Sequence, residues 1–175
     1  SRTMVWPYKD FIKSVQNTLR SSKINSPEKV PLPPYYPNTA IVRKTQARFY
    51  DCVAAMDKQV GTLLEQLKAD GLSEDTIVFF FSDHGSGMPR HKRALLDSGM
   101  KVPLLIHLPK KYQHLNSLKP KPERLVNFAD FAPTVLSMAG IKAPDYMEGK
   151  DIYRKNGDDR QFIFGHRDRV DEVRD

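Results

Sequence analysis

The sequence predicts an α/β fold, a mixed and largely parallel sheet flanked by helices, and three stretches carry that prediction. In Thr76–Gly85 the residues Ile77, Val78, Phe79, Phe80 and Phe81 run together without polar alternation, the pattern of a strand buried on both faces. Val102–Leu108 reads as a second apolar strand. Between Thr39 and Asp70 the period changes: Phe49, Val53, Met56, Val60, Leu63 and Leu67 recur at three- and four-residue steps, which describes one face of a long helix.

In chain order, Pro7–Leu19 predicts a short amphipathic helix with Phe11, Val15 and Leu19 on one side. Prolines at 27, 31, 33, 34 and 37 exclude a regular helix through Ser21–Pro37, because each removes an N–H and clashes with the preceding turn. The long helix should stop at Gly71, a natural C-cap. After Pro109 the chain turns polar and loop-like as far as Glu123. Leu125–Phe128 is a candidate strand, and Asp130 is placed to cap a helix reaching Ala139, with Pro133 in its first turn and Gly140 closing it. Gln161–Gly165 is a further candidate strand. The segments group as 1–38 (helix and Pro-rich connector), 39–140 (α/β core) and 141–175 (C-terminal loop and strand), all within one domain.

At 175 residues, with 28 basic and 21 acidic side chains and a formal net charge of +7, the chain is large enough for one sizeable core and suits an anionic partner. Acidic residues are interspersed throughout, and no basic stripe interleaved with aromatics appears, so nucleic acid is the weaker partner. One cysteine, Cys52, excludes an internal disulfide and any cysteine-based zinc cluster. It lies in a helical pattern and reads as a small packed hydrophobe. No apolar run approaches a membrane span.

Candidate chemistry gathers after the first apolar strand. Ligands of α/β sheets bind beyond the carboxyl ends of strands, where Asp83 and His84 stand, followed by Gly85. A carboxylate beside an imidazole is a plausible pair of ligands for a divalent cation, although a surface Asp-His turn has the same letters. Ser86-Gly87-Met88-Pro89 is turn-rich, and Arg90, His91, Lys92 and Arg93 then supply cationic donors. A metal turn and a cationic loop on one sheet edge would together make a site for a tetrahedral oxyanion. His107, inside an apolar strand, reads as a hydrogen-bonded core histidine. His166, Arg167 and Arg169 read as an exposed turn.

These residues also carry a resemblance. Thr76–Gly85, Pro89-Arg90-His91-Lys92-Arg93 and Asp97-Ser98-Gly99 through Ile106 resemble the second metal motif and its surroundings in the type I sulfatases of the alkaline-phosphatase-like superfamily. Leu32–Thr39 resembles the segment before the long helix in heparan-N-sulfatase-like members, and Ala129–Gly140 and Pro144–Lys150 resemble the helix and loop after the core strands. The resemblance implies a sulfuric ester hydrolase acting on sulfate esters, or an N-sulfate, of a glycan or related small molecule, by a metal-assisted formylglycine mechanism. It implies that this chain is the C-terminal part of a sulfatase catalytic domain in a periplasmic, secreted or lysosomal protein. Carried over by position, Asp83 and His84 match one pair of ligands to a single divalent cation, usually Ca²⁺, and Lys92 matches the catalytic lysine that contacts the sulfate. Arg90 and His91 are further substrate-binding candidates without a family match. The remaining ligands and the formylglycine are expected outside this chain, since Cys52 lacks the Cys/Ser-x-Pro/Ala-x-Arg context, and the piece alone is expected to be inactive. Two alternatives stay open: a metal-dependent phosphodiesterase or phosphatase of the same superfamily, and a non-catalytic anion-binding scaffold.

Overall fold

The long helix is where local sequence rules are obeyed most closely. In the computed structural model, which describes residues 8–20, 24–116, 124–153 and 160–165, the first helix, α1, spans Tyr8–Asn17 and the second, α2, spans Ala40–Ala69. At 30 residues and a rise of about 1.5 Å per residue, α2 is roughly 45 Å long. Thr39 caps its start, its hydroxyl oxygen accepting from the Val42 N–H at 3.4 Å. At its end Gly71 takes φ +72°, the Gly71 N–H bonds to the Lys68 carbonyl and the Leu72 N–H reaches back to Leu67. This is a Schellman motif, which needs a residue that tolerates the left-handed region.

The chain divides into two units, residues 1–73 and 74–175. In the first, α1 and α2 are joined through a carboxylate. Asp51 is fully buried and accepts from Gln16 Nε2 at 2.9 Å, the Asn25 N–H at 2.8 Å, Asn25 Nδ2 at 3.0 Å and Arg48 Nη1 at 2.6 Å. Burial raises its pKa, but these donors outweigh burial and the net shift is downward. The buried side of α1 is centred on Ile12, whereas Phe11, expected on that side, is exposed. Ile12 and Gln16, four residues apart, share the face turned to Asp51.

The Pro-rich connector lies across the start of α2 and is held by Arg43. Its Nη1 donates to the carbonyls of Pro27, Glu28 and Val30 at 3.3, 3.1 and 3.3 Å, and its Nε donates to Asn38 Oδ1 at 2.5 Å. A proline-rich segment has few N–H groups with which to satisfy its own carbonyls, and one guanidinium serves several of them. Cys52 is half-buried and unpaired, its thiol pKa pushed up by burial and by neighbouring Asp51, as expected for packing rather than reactivity.

In the second unit, β1 (Val78–Phe81) and β2 (Leu104–His107) pair antiparallel, Val78 opposite His107 and Phe81 opposite Leu104. Between them lies one four-residue helix, α3 (Asp97–Met100). The largely parallel sheet expected from the apolar runs is not what the described residues form. A parallel pair needs a crossover of a dozen or more residues, usually a long helix packed on the sheet, and residues 82–103 form turns and the four-residue α3 instead. Burial on both faces is also only partly realised. Phe79, Phe81, Leu104 and Ile106 share one face by register, and Leu104 and Ile106 pack with Ile77, Phe131 and Met138 against a core of Leu108, Ile152 and Tyr153. Leu105, on the other face, is 61 % exposed, and His107 is exposed rather than a core histidine, because alternation puts both on that second face.

Leu125–Phe128 is not a strand; a 3₁₀ turn at Phe128–Asp130 leads instead into the last helix, α4 (Phe131–Met138), and Gly140 ends α4 as Gly71 ends α2. Gln161–Gly165 is not a strand either. Asp130 does not cap α4 with its side chain. Its buried carboxylate instead accepts from the Asn127 N–H at 3.0 Å, the Lys150 N–H at 2.7 Å and the Arg160 guanidinium. Burial raises the Asp130 pKa, and Arg160 with the two N–H donors reverses that to a net lowering. Thr134 completes the fastening: its hydroxyl donates to the Asp130 carbonyl at 2.6 Å and accepts from the Ile152 N–H at 2.9 Å.

Candidate functional site

Beyond Phe81 the backbone leaves the sheet in a turn fixed by its own side chains. Ser82 Oγ donates to the His84 carbonyl at 2.7 Å. His84 Nδ1 lies 2.6 Å from the Gly85 carbonyl oxygen. That oxygen can only accept, so Nδ1 carries the proton and, in the neutral ring, Nε2 presents a lone pair. Asp83 Oδ2 stands 3.5 Å from Nε2, with the Asp83 side chain 82 % exposed and that of His84 half-buried.

The basic loop is closed on the same turn. The Gly85 N–H donates to the Gly99 carbonyl at 2.9 Å, and the Lys92 N–H donates to the Ser86 carbonyl at 2.9 Å. Inside this closure Ser86 Oγ accepts from the Met88 N–H at 3.3 Å and lies 2.8 Å from His91 Nδ1. Ser98 Oγ donates to the Arg90 carbonyl at 2.5 Å. Arg90 and Arg93 both take φ +67°, a left-handed conformation that costs a non-glycine residue about 1–2 kcal/mol. The ring of hydrogen bonds around the loop offsets that cost. Lys92, between the two arginines, is exposed.

Two glycines let these pieces approach. A Cβ on Gly85 would fall 2.0 Å from the Ser98 carbonyl oxygen, and one on Gly99 would fall 2.1 Å from the Ala94 oxygen and 2.3 Å from the His91 oxygen. Neither position has room for any other residue. The structure thus joins the Asp83–His84 turn, the Arg90–Arg93 loop and α3 into one edge beyond β1. Ser86, Ser98 and Gly99 build this edge. Sequence reasoning used Asp97-Ser98-Gly99 for its spacing alone and did not foresee that this turn closes the loop. His166, Arg167 and Arg169 lie outside the described residues.

The chemical capacity of the edge is partial. Among the described residues no group of three or more His, Cys, Asp or Glu side chains could hold a metal ion, so Asp83 and His84 are a pair of ligating side chains and not a complete site. Their spacing fits a shared ion: adjacent donors about 2.4 Å from one cation at right angles stand roughly 3.4 Å apart. The His84 Nδ1–Gly85 contact is the second bond that a ligating imidazole characteristically makes. Among the described residues no helix is long and apolar enough to cross a membrane.

The family model described as Sulfatase matches residues 6–141. An ulvan-active sulfatase of Formosa agariphila is 37 % identical over 97 % of this chain and 29 % of its own length. The human N-sulphoglucosamine sulphohydrolase is 34 % identical over 69 % of this chain and 23 % of its own, and an arylsulfatase of Clostridium perfringens is 31 % identical over 73 % and 28 %. The chain therefore spans less than a third of the length of these relatives.

Proposed function

The chain belongs to the sulfatase family, and from that premise we propose that the whole protein hydrolyses sulfate esters, or an N-sulfate, of a sulfated glycan. The observation that carries the proposal is the edge beyond β1, where a two-donor turn and a lysine loop are tied through Gly85–Gly99 and Ser86–Lys92 hydrogen bonds. The names of the relatives, which include enzymes of a sulfated polysaccharide and of sulfated glucosamine, support the substrate class. The family match extends through both units, which supports a single catalytic domain of alkaline-phosphatase-like α/β type with further strands beside β1 and β2.

Asp83 and His84 would hold one divalent cation, Ca²⁺ in this proposal, together with ligands from the rest of the protein. Calcium prefers six to eight oxygens, so two donors make a half-site. When bound, such an ion withdraws electron density from the sulfuryl oxygens and favours ionisation of a nearby hydroxyl nucleophile. His84 serves it as a neutral ring, its Nδ1 proton engaged by the Gly85 carbonyl. Lys92 is the catalytic residue of this chain: its ammonium holds a sulfuryl oxygen and stabilises the negative charge that grows on the leaving atom as the sulfur–oxygen or sulfur–nitrogen bond breaks. Arg90 and His91 would meet groups of the glycan around the sulfate. The formylglycine nucleophile of the family has no counterpart motif among these 175 residues, so this stretch alone would not turn over substrate.

The test is sulfate release by the full-length protein from ulvan and heparan oligosaccharides, with bound metal quantified. Release that requires Lys92 and follows calcium content supports the proposal. Phosphate-ester hydrolysis with bound zinc and no sulfate release would replace it with the phosphodiesterase alternative, and binding without turnover would replace it with the anion-binding scaffold.

A further inference from the structure

A cavity of about 380 Å³ opens beside the Asp130 node, lined by Asn127, Lys150, Arg160, Gln161, Phe162 and Phe164, with Glu148 at its wall. Its size falls within the roughly 300–1,000 Å³ of small-molecule sites. Nothing in the sulfate chemistry above uses it, and its composition is unusual. Phe162 and Phe164 are 69 % and 93 % exposed, two phenyl rings presented to water beside amide and charged groups. Asn127 Oδ1, buried at the edge of the cavity, faces the Asp130 N–H in a capping box, and that N–H is shared with the Asn127 carbonyl at 3.0 Å.

The cavity also flanks the edge beyond β1. Phe128, next to Asn127, packs on Phe81 at the end of β1 with ring centroids 6.1 Å apart. At the other end, a Cβ on Gly165 would meet Met100 Sδ at 2.5 Å and Leu95 Cδ2 at 3.1 Å. Residues 160–165 therefore run from Asp130 to α3, whose Gly99 binds Gly85. One wall of the cavity begins one residue before the Phe81 contact, and the other ends on the turn that closes the lysine loop.

We propose that this cavity is a sugar-binding subsite, which holds a neighbouring saccharide unit of the glycan whose sulfate is cleaved at the Asp83–Lys92 edge. A sugar ring has an apolar C–H face, which packs on an aromatic ring, and a hydroxyl rim that both donates and accepts. Phe162 and Phe164 supply the first surface. Gln161 and Glu148 pair with hydroxyls at the cavity wall. Arg160 Nη1 is committed to Asp130, which fixes the guanidinium while its other N–H groups remain able to meet a hydroxyl or a uronate carboxylate. This assignment rests on the glycan sulfatase function proposed above and names where its specificity beyond the sulfate resides.

The experiment is steady-state kinetics of full-length wild type, Phe162→Ala, Phe164→Ala and the double variant, on ulvan oligosaccharides and on 4-nitrophenyl sulfate, which has no sugar. Both phenylalanines are exposed, so folding should survive, and thermal unfolding confirms it. The expected result is a KM for oligosaccharide raised about tenfold in the double variant, the loss of roughly one stacking contact, with kinetics on 4-nitrophenyl sulfate unchanged. Unchanged oligosaccharide kinetics would overturn the subsite while leaving sulfatase activity standing. A lowered melting temperature without a KM change would also overturn it, assigning the rings to contact with the rest of the protein. If no sulfate were released from either substrate, the proposed function would fail by itself. Calorimetry with desulfated ulvan oligosaccharide would then decide the subsite: binding lost in the double variant supports it, and equal or absent binding overturns it.

Discussion

The Gly85 N–H donates to the Gly99 carbonyl at 2.9 Å, and the space where a Gly85 side chain would begin is taken by the Ser98 carbonyl oxygen, 2.0 Å away. Two residues fourteen positions apart are thus in backbone contact. The turn that carries Asp83 and His84 and the loop that carries Lys92 are tied into one piece as a result.

Gly99→Ala should break that piece. Its Cβ would collide with two carbonyl oxygens at 2.1 and 2.3 Å, and backbone cannot yield as a flexible side chain can. Overpacking of this kind costs about 1–3 kcal/mol. Denaturant unfolding of the full-length variant should show that loss, accompanied by a fall in sulfatase activity. Wild-type stability would mean the loop and turn are not in contact.

Lys92→Ala should depress kcat and kcat/KM together, by roughly 10²–10³, the usual result of removing a donor that stabilises transition-state charge. Arg90→Ala should act on KM if it acts at all. Kinetics on one sulfated glycan, with folding and metal content verified, separate the two, and a Lys92→Ala enzyme with near-normal kcat would remove this residue from the chemistry.

Asp83→Ala should reduce the calcium content of the purified full-length protein, since it removes the carboxylate of a two-donor half-site. His84→Gln keeps a neutral acceptor without the Nδ1 anchor and should weaken binding by about 10–100-fold, as for lost orienting contacts. Elemental analysis and calcium titration check both. Full metal content in Asp83→Ala would show that the ion, if present, is bound elsewhere.

Acid should loosen each unit at a carboxylate. Asp51 and Asp130 have folded-state pKa values below the ordinary carboxylate value, so each contributes stability that is complete above its unfolded pKa of about 3.9 and lost as pH falls through its folded pKa. Asp130→Ala, which leaves Arg160 and two N–H groups without their acceptor, should cost about 3–5 kcal/mol at neutral pH. Its stability should also fall less steeply with acid than that of wild type, as read by denaturant unfolding between pH 7 and pH 3. An equally steep decline would show that other groups govern acid unfolding.

Thr39, Gly71 and the three- and four-residue steps made α2 legible within a residue at either end, because caps and periodicity are local. Both strands were legible for the same reason, while their pairing was not: direction depends on how residues 82–103 fold, and that depends on Gly85 meeting Gly99. Asp130 stands at the N-cap position of α4, as its place before Phe-Ala-Pro suggests, but its side chain makes no cap bond. Its carboxylate instead meets Lys150 and Arg160, twenty and thirty residues on, which no local pattern announces. The same holds for Asp51, which looked like any polar position on a helix. In the candidate site, Asp83, His84 and Lys92 were singled out through motif resemblance, whereas the contacts of Ser86 and Ser98 arise from loop closure alone.

Arg43 gives the first unit a fastening of a different chemical character from Asp51. A guanidinium keeps its proton throughout the range in which proteins are studied, so its grip on the carbonyls of Pro27, Glu28 and Val30 is indifferent to acid. The grip of Asp51 on Gln16 and Asn25 is not. As pH falls, the ties that Asp51 makes to α1 and to Asn25, at the start of the connector, should therefore weaken first, while Arg43 keeps its hold on Pro27–Val30 and Lys58 its hold on the Thr18 carbonyl.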